Sequence, residues 1–311
     1  MESNNIKIVG LVTDNARCMV AAKNIIFDTR NSVFPLRCAT HIMNLIVQQA
    51  FKEVNFLVSA HNILTKYITS GVIKRYCVTR FLGIYIRLIE LKKYFESREN
   101  LQPLQVRESE KIVQAERAIK PFVDVLNLSH SDGVSWPNVY SAFINSIQIT
   151  EESGFENLAG IAKQRIPMML NEIVALDLFI KGERPLEPAE ERKINTWLLA
   201  INVTDFMEYV ANREFHGPEV PLPRLLGLFY KEKLKRIAVS EAAVERCFYK
   251  HKLIHCPMKA AMKDDIVEDC LFIRYNYSLH FGEIFEDSKI EDNEEDEEQL
   301  NALEPIDDMD D

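Results

Sequence analysis

The chain has 311 residues, enough for about two domains at roughly 100–200 residues each. Apolar residues make up 47 % and charged residues 27 %, an ordinary balance for a globular protein, and no run of about 18 uncharged apolar residues occurs, so no membrane span or membrane partner is expected. The net charge of −10 is uneven: Glu283 to Asp311 holds 15 acidic residues against one Lys, a balance of −14, which leaves +4 on residues 1–282.

The first residues, Met1-Glu2-Ser3-Asn4-Asn5, lack the basic-then-apolar order of a secretory signal. The six cysteines, at 18, 38, 77, 247, 256 and 270, are scattered. Together these features predict a reduced intracellular compartment rather than a disulfide framework.

In chain order, Ile6 to Thr13 is a short apolar run rich in β-branched residues and predicts a buried strand. It ends in Thr13-Asp14-Asn15-Ala16, after which Met19, Val20, Ala22, Ile25 and Ile26 mark an amphipathic segment. Asp14 is thereby placed at the carboxyl edge of a strand, where open α/β sheets carry their chemistry. Val33 to Cys38 predicts a second strand, with Pro35 assigning it to a sheet edge. From His41 to about Phe56 the apolar residues fall at helical spacing, and beyond Phe56 the pattern is almost wholly helical.

Helices are predicted near 81–96, 107–127, 138–150, 157–181 and 190–211. Linkers of Gly and Pro composition cover Lys181 to Pro188 and His216 to Pro223. Further helices follow near 224–236, 240–254 and 263–277. Glu291 to Glu298 cannot bury enough apolar surface to order itself, and 283–311 is predicted to be a disordered acidic tail.

Three separated segments, in order, resemble the hAT family of transposases. The first is Val12-Thr13-Asp14-Asn15-Ala16-Arg17-Cys18-Met19, followed by Cys38-Ala39-Thr40-His41-Ile42-Met43-Asn44-Leu45. It is similar to the family's V-T-D-N-A-x-N-M and C-x-x-H-x-x-N-L elements, with Cys18 where Asn is usual. The second, Thr79-Arg80-Phe81, resembles a T-R-W element with Phe in place of Trp. The third, Ser240-Glu241-Ala242-Ala243-Val244-Glu245-Arg246-Cys247-Phe248, with Leu271 to Asn276 downstream, resembles the family's C-terminal dimerisation region.

The resemblance implies an α/β ribonuclease-H-like core, truncated before its first strands, with a large all-α insertion, the whole being mostly helical. Residues 1–56 would be a partial core, 57–223 the helical insertion, and 224–282 the C-terminal helical part of the core with the dimerisation region. It matches Asp14 and Glu245 to two catalytic carboxylates and expected metal ligands. The family's first catalytic Asp would precede the matching start of this chain.

Cutting DNA with two divalent cations requires carboxylates from separate elements to converge, because Mg²⁺ wants oxygen ligands in near-octahedral geometry. Two carboxylates could hardly hold two ions about 3.5–4 Å apart. The expectation is therefore an inactive descendant with no cofactor, Mg²⁺ entering only with residual activity. It would act by homo-oligomerisation, or pairing with a related transposase chain, with room for weak DNA binding and a nuclear location. The rival is a fragment of an active transposase, and a relic with no selected activity is a third.

Each singled-out residue also has a plainer reading. Asp14 could be a helix N-cap and Glu245 a surface residue of a helix. Cys38 and His41 share the C-x-x-H step of zinc sites, and Cys247, His251, His255 and Cys256 offer further donors, but no complete four-ligand set is evident and core roles are the better expectation. Arg37, Lys74, Arg75 and Arg80 could meet phosphate, with Arg80 and Arg37 the chosen DNA contacts, or form a solvated basic face. Ile266, Cys270, Ile273 and Tyr277 form one apolar stripe; with Phe248, the first three are the expected dimer contacts, and packing within the chain explains the stripe equally.

Overall fold

The computed structural model describes residues 10–13, 17–74, 81–131, 133–234 and 237–240. The chain divides into a unit Met1–Ala243 and a unit Val244–Asp311. All described residues belong to the first, and the expected dimer contacts and acidic tail lie outside them. Among the described residues the fold is mostly helical, and no helix is long and apolar enough to cross a membrane.

Two four-residue strands open the fold. β1 (Gly10–Thr13) and β2 (Phe34–Arg37) pair in parallel, Gly10 opposite Phe34 and Thr13 opposite Arg37. Parallel neighbours need a crossover, and helix α1 (Arg17–Thr29) supplies it. Met19 and Ile25 of α1 are exposed, so its amphipathic face turns on Ile26 and Phe27 instead. Pro35, which has no N–H to donate, sits opposite Leu11, and β2 has only β1 as a strand neighbour among the described residues.

Ten helices follow: α2 (Ala39–Glu53), α3 (Asn55–Thr69), α4 (Phe81–Glu96), α5 (Pro103–His130), α6 (Trp136–Glu152), α7 (Glu156–Lys163), α8 (Ile166–Met169), α9 (Glu172–Lys181), α10 (Pro188–Ala200) and α11 (Phe206–His216). The last described helix is α12 (Arg224–Glu232). α5 is the axis, packing against α2, α3, α4 and α6. Its buried positions Ile112, Ala115, Ile119, Phe122 and Leu126 recur at steps of three and four, the spacing of one helical face.

The stretches 157–181 and 190–211 are each broken where one helix is expected. Pro167 in α8 cannot donate a helical hydrogen bond, and the Asn171 side chain accepts from the N–H groups of Ile173 and Val174, starting α9 afresh. Gly182 ends α9 in the left-handed conformation. Between α10 and α11, Asn202 has φ 65°, a left-handed position Asn tolerates, and the chain turns there. The Asp205 carboxylate then caps α12, not its own helix, accepting from Leu225 and Leu226 N–H at 2.7 and 3.0 Å.

One apolar core runs from Phe34 to Val239. Aromatic rings join the strand unit to the helices: Phe27 meets Phe34, Phe34 meets Trp197 of α10 at 4.7 Å between centroids, and Trp197 meets Phe229 of α12 edge-on at 5.2 Å. α12 is tethered again by Tyr230, whose hydroxyl donates to the buried Asp177 carboxylate at 2.7 Å. Burial, then that carboxylate, pushes the Tyr230 phenol well above its ordinary range.

On α5, Glu108 accepts from Tyr67 and Lys66 of α3, and Glu116 from Tyr85 and Lys92 of α4. Burial followed by Glu108 pushes Tyr67 up to about 12; burial followed by Glu116 does the same for Tyr85.

Two outcomes follow from this packing. Trp197→Ala empties the centre of the aromatic row and is expected to destabilise the fold by about 3–5 kcal/mol in denaturant melts. The raised phenols favour the neutral form in the fold, so their stabilisation is complete below about 10 and lost as pH rises through about 12. Spectroscopic titration should show Tyr67 and Tyr85 ionising late, and Tyr67→Phe should remove one late step.

Candidate functional site

The carboxyl ends of both strands meet a segment that returns from far along the chain. Cys38, the residue after β2, donates its N–H to the carbonyl of Thr13, the last residue of β1, at 2.9 Å. Ala39, the first residue of α2, donates to the carbonyl of Val239, 200 positions later, also at 2.9 Å. No side chain caps α2, so the Val239 carbonyl satisfies one of the free N–H groups at its start.

Neighbouring groups hold the same segment. The Trp136 indole Nε1 donates to the Ala238 carbonyl at 3.0 Å. The Ser240 hydroxyl donates to the carbonyl of Ser129, near the end of α5, at 2.9 Å. Ser129 Oγ donates to the Leu126 carbonyl at 2.7 Å, so its single proton is used and Thr40 Oγ1 is the donor in the 2.9 Å contact between the two hydroxyls. Thr13, Cys38, Ser129, Val239 and Ser240 are all buried. Gly10 lies close to the segment too: a Cβ there would stand 3.4 Å from Ile237 Cγ2.

Of the site residues picked from the sequence, only Arg37 falls among the described residues. Asp14 follows Thr13, and Glu245 is five positions beyond Ser240, but both lie outside the described residues. So do Arg80, Phe248, Ile266, Cys270 and Ile273. Arg37 is described: it ends β2 opposite Thr13 and is half-buried. His41 is half-buried one turn into α2 beside the buried Cys38, and among the described residues no group of three or more His, Cys, Asp or Glu is arranged to hold a metal.

The described polar side chains of the junction are hydroxyls, an indole, a thiol and a guanidinium. What the junction does is join the end of β1 to the residue after β2 and hold residues 237–240 at the start of α2 and the end of α5.

The contacts of Ser129, Trp136 and Ser240 escape a reading of the sequence, though Ser240 itself opens the third family-like segment. Their bonds span 89 to 111 positions, and no local spacing signals such contacts.

Ser240→Ala leaves the buried Ser129 carbonyl without its donor and should cost about 1–3 kcal/mol in chemical denaturation. Thr40→Val acts on the same serine, so the double variant should be non-additive by about 0.5 kcal/mol or more. Strict additivity would mean the two hydroxyls do not share one network. No family model matches the chain, and no curated protein matches it.

Proposed function

We propose that this chain is a hAT-transposase-derived protein that works by association through its C-terminal segment, keeps weak affinity for DNA, and does not cleave DNA. The supporting observation is the junction itself. Thr13, immediately before Asp14, and Ser240, which opens the Ser240 to Phe248 block, are tied to adjacent residues, Cys38 and Ala39, through Thr13 and Val239. A ribonuclease-H-like core depends on this kind of convergence, because carboxylates from distant segments must meet at one place. The parallel β1–α1–β2 unit supports the same reading, since α/β sheets gather chemistry at the carboxyl ends of their strands.

In this reading Asp14 and Glu245 descend from metal ligands. Two ions about 3.5–4 Å apart call for more carboxylate than these two supply. Phe248, Ile266, Cys270 and Ile273 carry the contact with a second copy or a related chain, Arg37 and Arg80 meet phosphate, and the protein resides in the nucleus. The intact parallel unit favours one second reading: a piece of an active transposase that cuts and joins DNA by the two-metal-ion route.

Purified protein of these 311 residues, given Mg²⁺ and nicked or hairpin DNA, is expected to leave the DNA intact. Scission that depends on Mg²⁺ and disappears in Asp14→Ala would select the second reading. Light scattering after size exclusion should give the mass of a dimer at micromolar concentration, and Ile266→Asp combined with Ile273→Asp should give a monomer. A wild-type chain that stays monomeric there would sink the association claim.

A further inference from the structure

Helix α11 has two faces of opposite character. The inner face is Phe206, Tyr209, Val210 and Arg213, at steps of three, one and three, all buried. The Arg213 guanidinium lies 4.4 Å from the centre of the Phe179 ring and donates to the Tyr209 hydroxyl at 3.0 Å. Its Nη2 comes within 3.1 Å of where a Cβ on Gly182 would stand, and a Cβ there would be 3.2 Å from Pro218. These contacts lock the rotation of α11 and anchor the loop that follows it.

The locked rotation presents Glu208, Asn212 and Phe215 outward, at steps of four and three. Phe215 is 84 % exposed, more than any other large apolar side chain among the described residues. Beside it runs an open groove of about 460 Å³, lined by Asn212, His216, Glu219, Val220 and Pro221. Pro218, Pro221 and Pro223 fix φ at three positions of the loop, so the groove wall is stiff.

Glu208, Glu214 and Glu219 are exposed on this face or at its edge. Elsewhere in the helical body the carboxylates of Glu151, Glu172, Glu187 and Glu190 are each ion-paired. Among the described residues Glu208, Glu214 and Glu219 have no ion-pair partner. Arg213, the one Lys or Arg within α11, is turned into the core.

We propose that Phe215 and the groove beside it are a docking surface for a basic segment of a partner protein, with Lys or Arg flanking one apolar side chain. Charge selects this occupant. Three unpaired carboxylates repel nucleic-acid phosphate and repel the same face of a second copy, while they attract Lys and Arg. Val220 and Pro221 offer an apolar wall, and the Phe215 ring, set edge-on to the His216 ring at 4.7 Å between centroids, covers an aliphatic anchor.

The test uses the full chain and a fluorescent synthetic peptide of one leucine flanked by lysines and arginines, with anisotropy as the readout. Wild type should bind the peptide and should bind its leucine-to-alanine counterpart at least about tenfold more weakly. Phe215→Ala should weaken binding by about tenfold or more, as loss of an aromatic anchor does. Glu214→Gln with Glu219→Gln should weaken it and flatten its salt dependence.

The acid-rich 283–311 stretch also attracts such a peptide, which makes the Phe215 variant the deciding arm: unchanged binding there overturns the proposal. Equal binding of the alanine peptide also overturns it, by removing the apolar anchor. A wild-type dimer that Phe215→Ala converts to a monomer would mean the face docks a second copy, and loss of duplex-DNA binding in Phe215→Ala would mean it docks nucleic acid. Both replace the proposed partner. Phe215 is exposed, so circular dichroism should be unchanged in the variant.

Discussion

The hydrogen bond between Ala39 N–H and the Val239 carbonyl is the point on which the rest of the described fold turns. A buried backbone group left without a partner costs as much as a lost hydrogen bond, so the carbonyl of Val239 and the first N–H of α2 each need the other. Closing a loop of that length carries an entropic cost that grows only slowly with the number of residues enclosed. The intervening helices therefore need not be short; they need only a shape that returns residue 239 to residue 39. The long α5 supplies much of that shape, with Ser129 near its far end reaching both Thr40 and Ser240.

Two strands of four residues make a sheet with little stability of its own. Its survival depends on what covers it. Phe34 is fully buried against Phe27 on one side and Trp197 on the other, and Trp197 leans on Phe229. The same α12 that carries Phe229 is pinned by Tyr230 to Asp177 and capped by Asp205. The helices thus act on the strand unit twice, once through the aromatic row and once by delivering Ile237 to Ser240. Each contact would be weaker without the other, because α12 lies just upstream of the returning segment.

Where a signal is local, the sequence carries it. The apolar stripe of Phe81 to Phe95 marks α4 over its observed range, Pro35 marks a strand with a single neighbour among the described residues, and Gly182 and Gly217 mark helix ends. The breaks inside 157–181 and 190–211 are also written locally, in Pro167 with Asn171 and in Asn202 with Asp205. A continuous apolar period hides them, since α7 to α9 and α10 to α11 keep helical spacing across each turn. The candidate site divides the same way. Thr13 and Cys38 are readable from the strand edges they occupy. The Ser129, Trp136 and Ser240 contacts depend on the path of the whole chain, and a hydroxyl or indole chooses its partner only after that path exists.

The chemistry of the junction bears on what it is for. Apolar side chains alone could close the fold here, as Phe34, Trp197 and Phe229 do nearby. The closure instead uses three hydroxyl and indole donors and two backbone N–H groups, in a setting where every unmet polar group is costly. Apolar contact tolerates sliding; hydrogen bonds of fixed length and direction do not. A sliding contact would leave residues 237–240 free to shift along the start of α2. The bonded junction holds residues 237–240 in one register against the start of α2 and the end of α5, which apolar packing alone would not do.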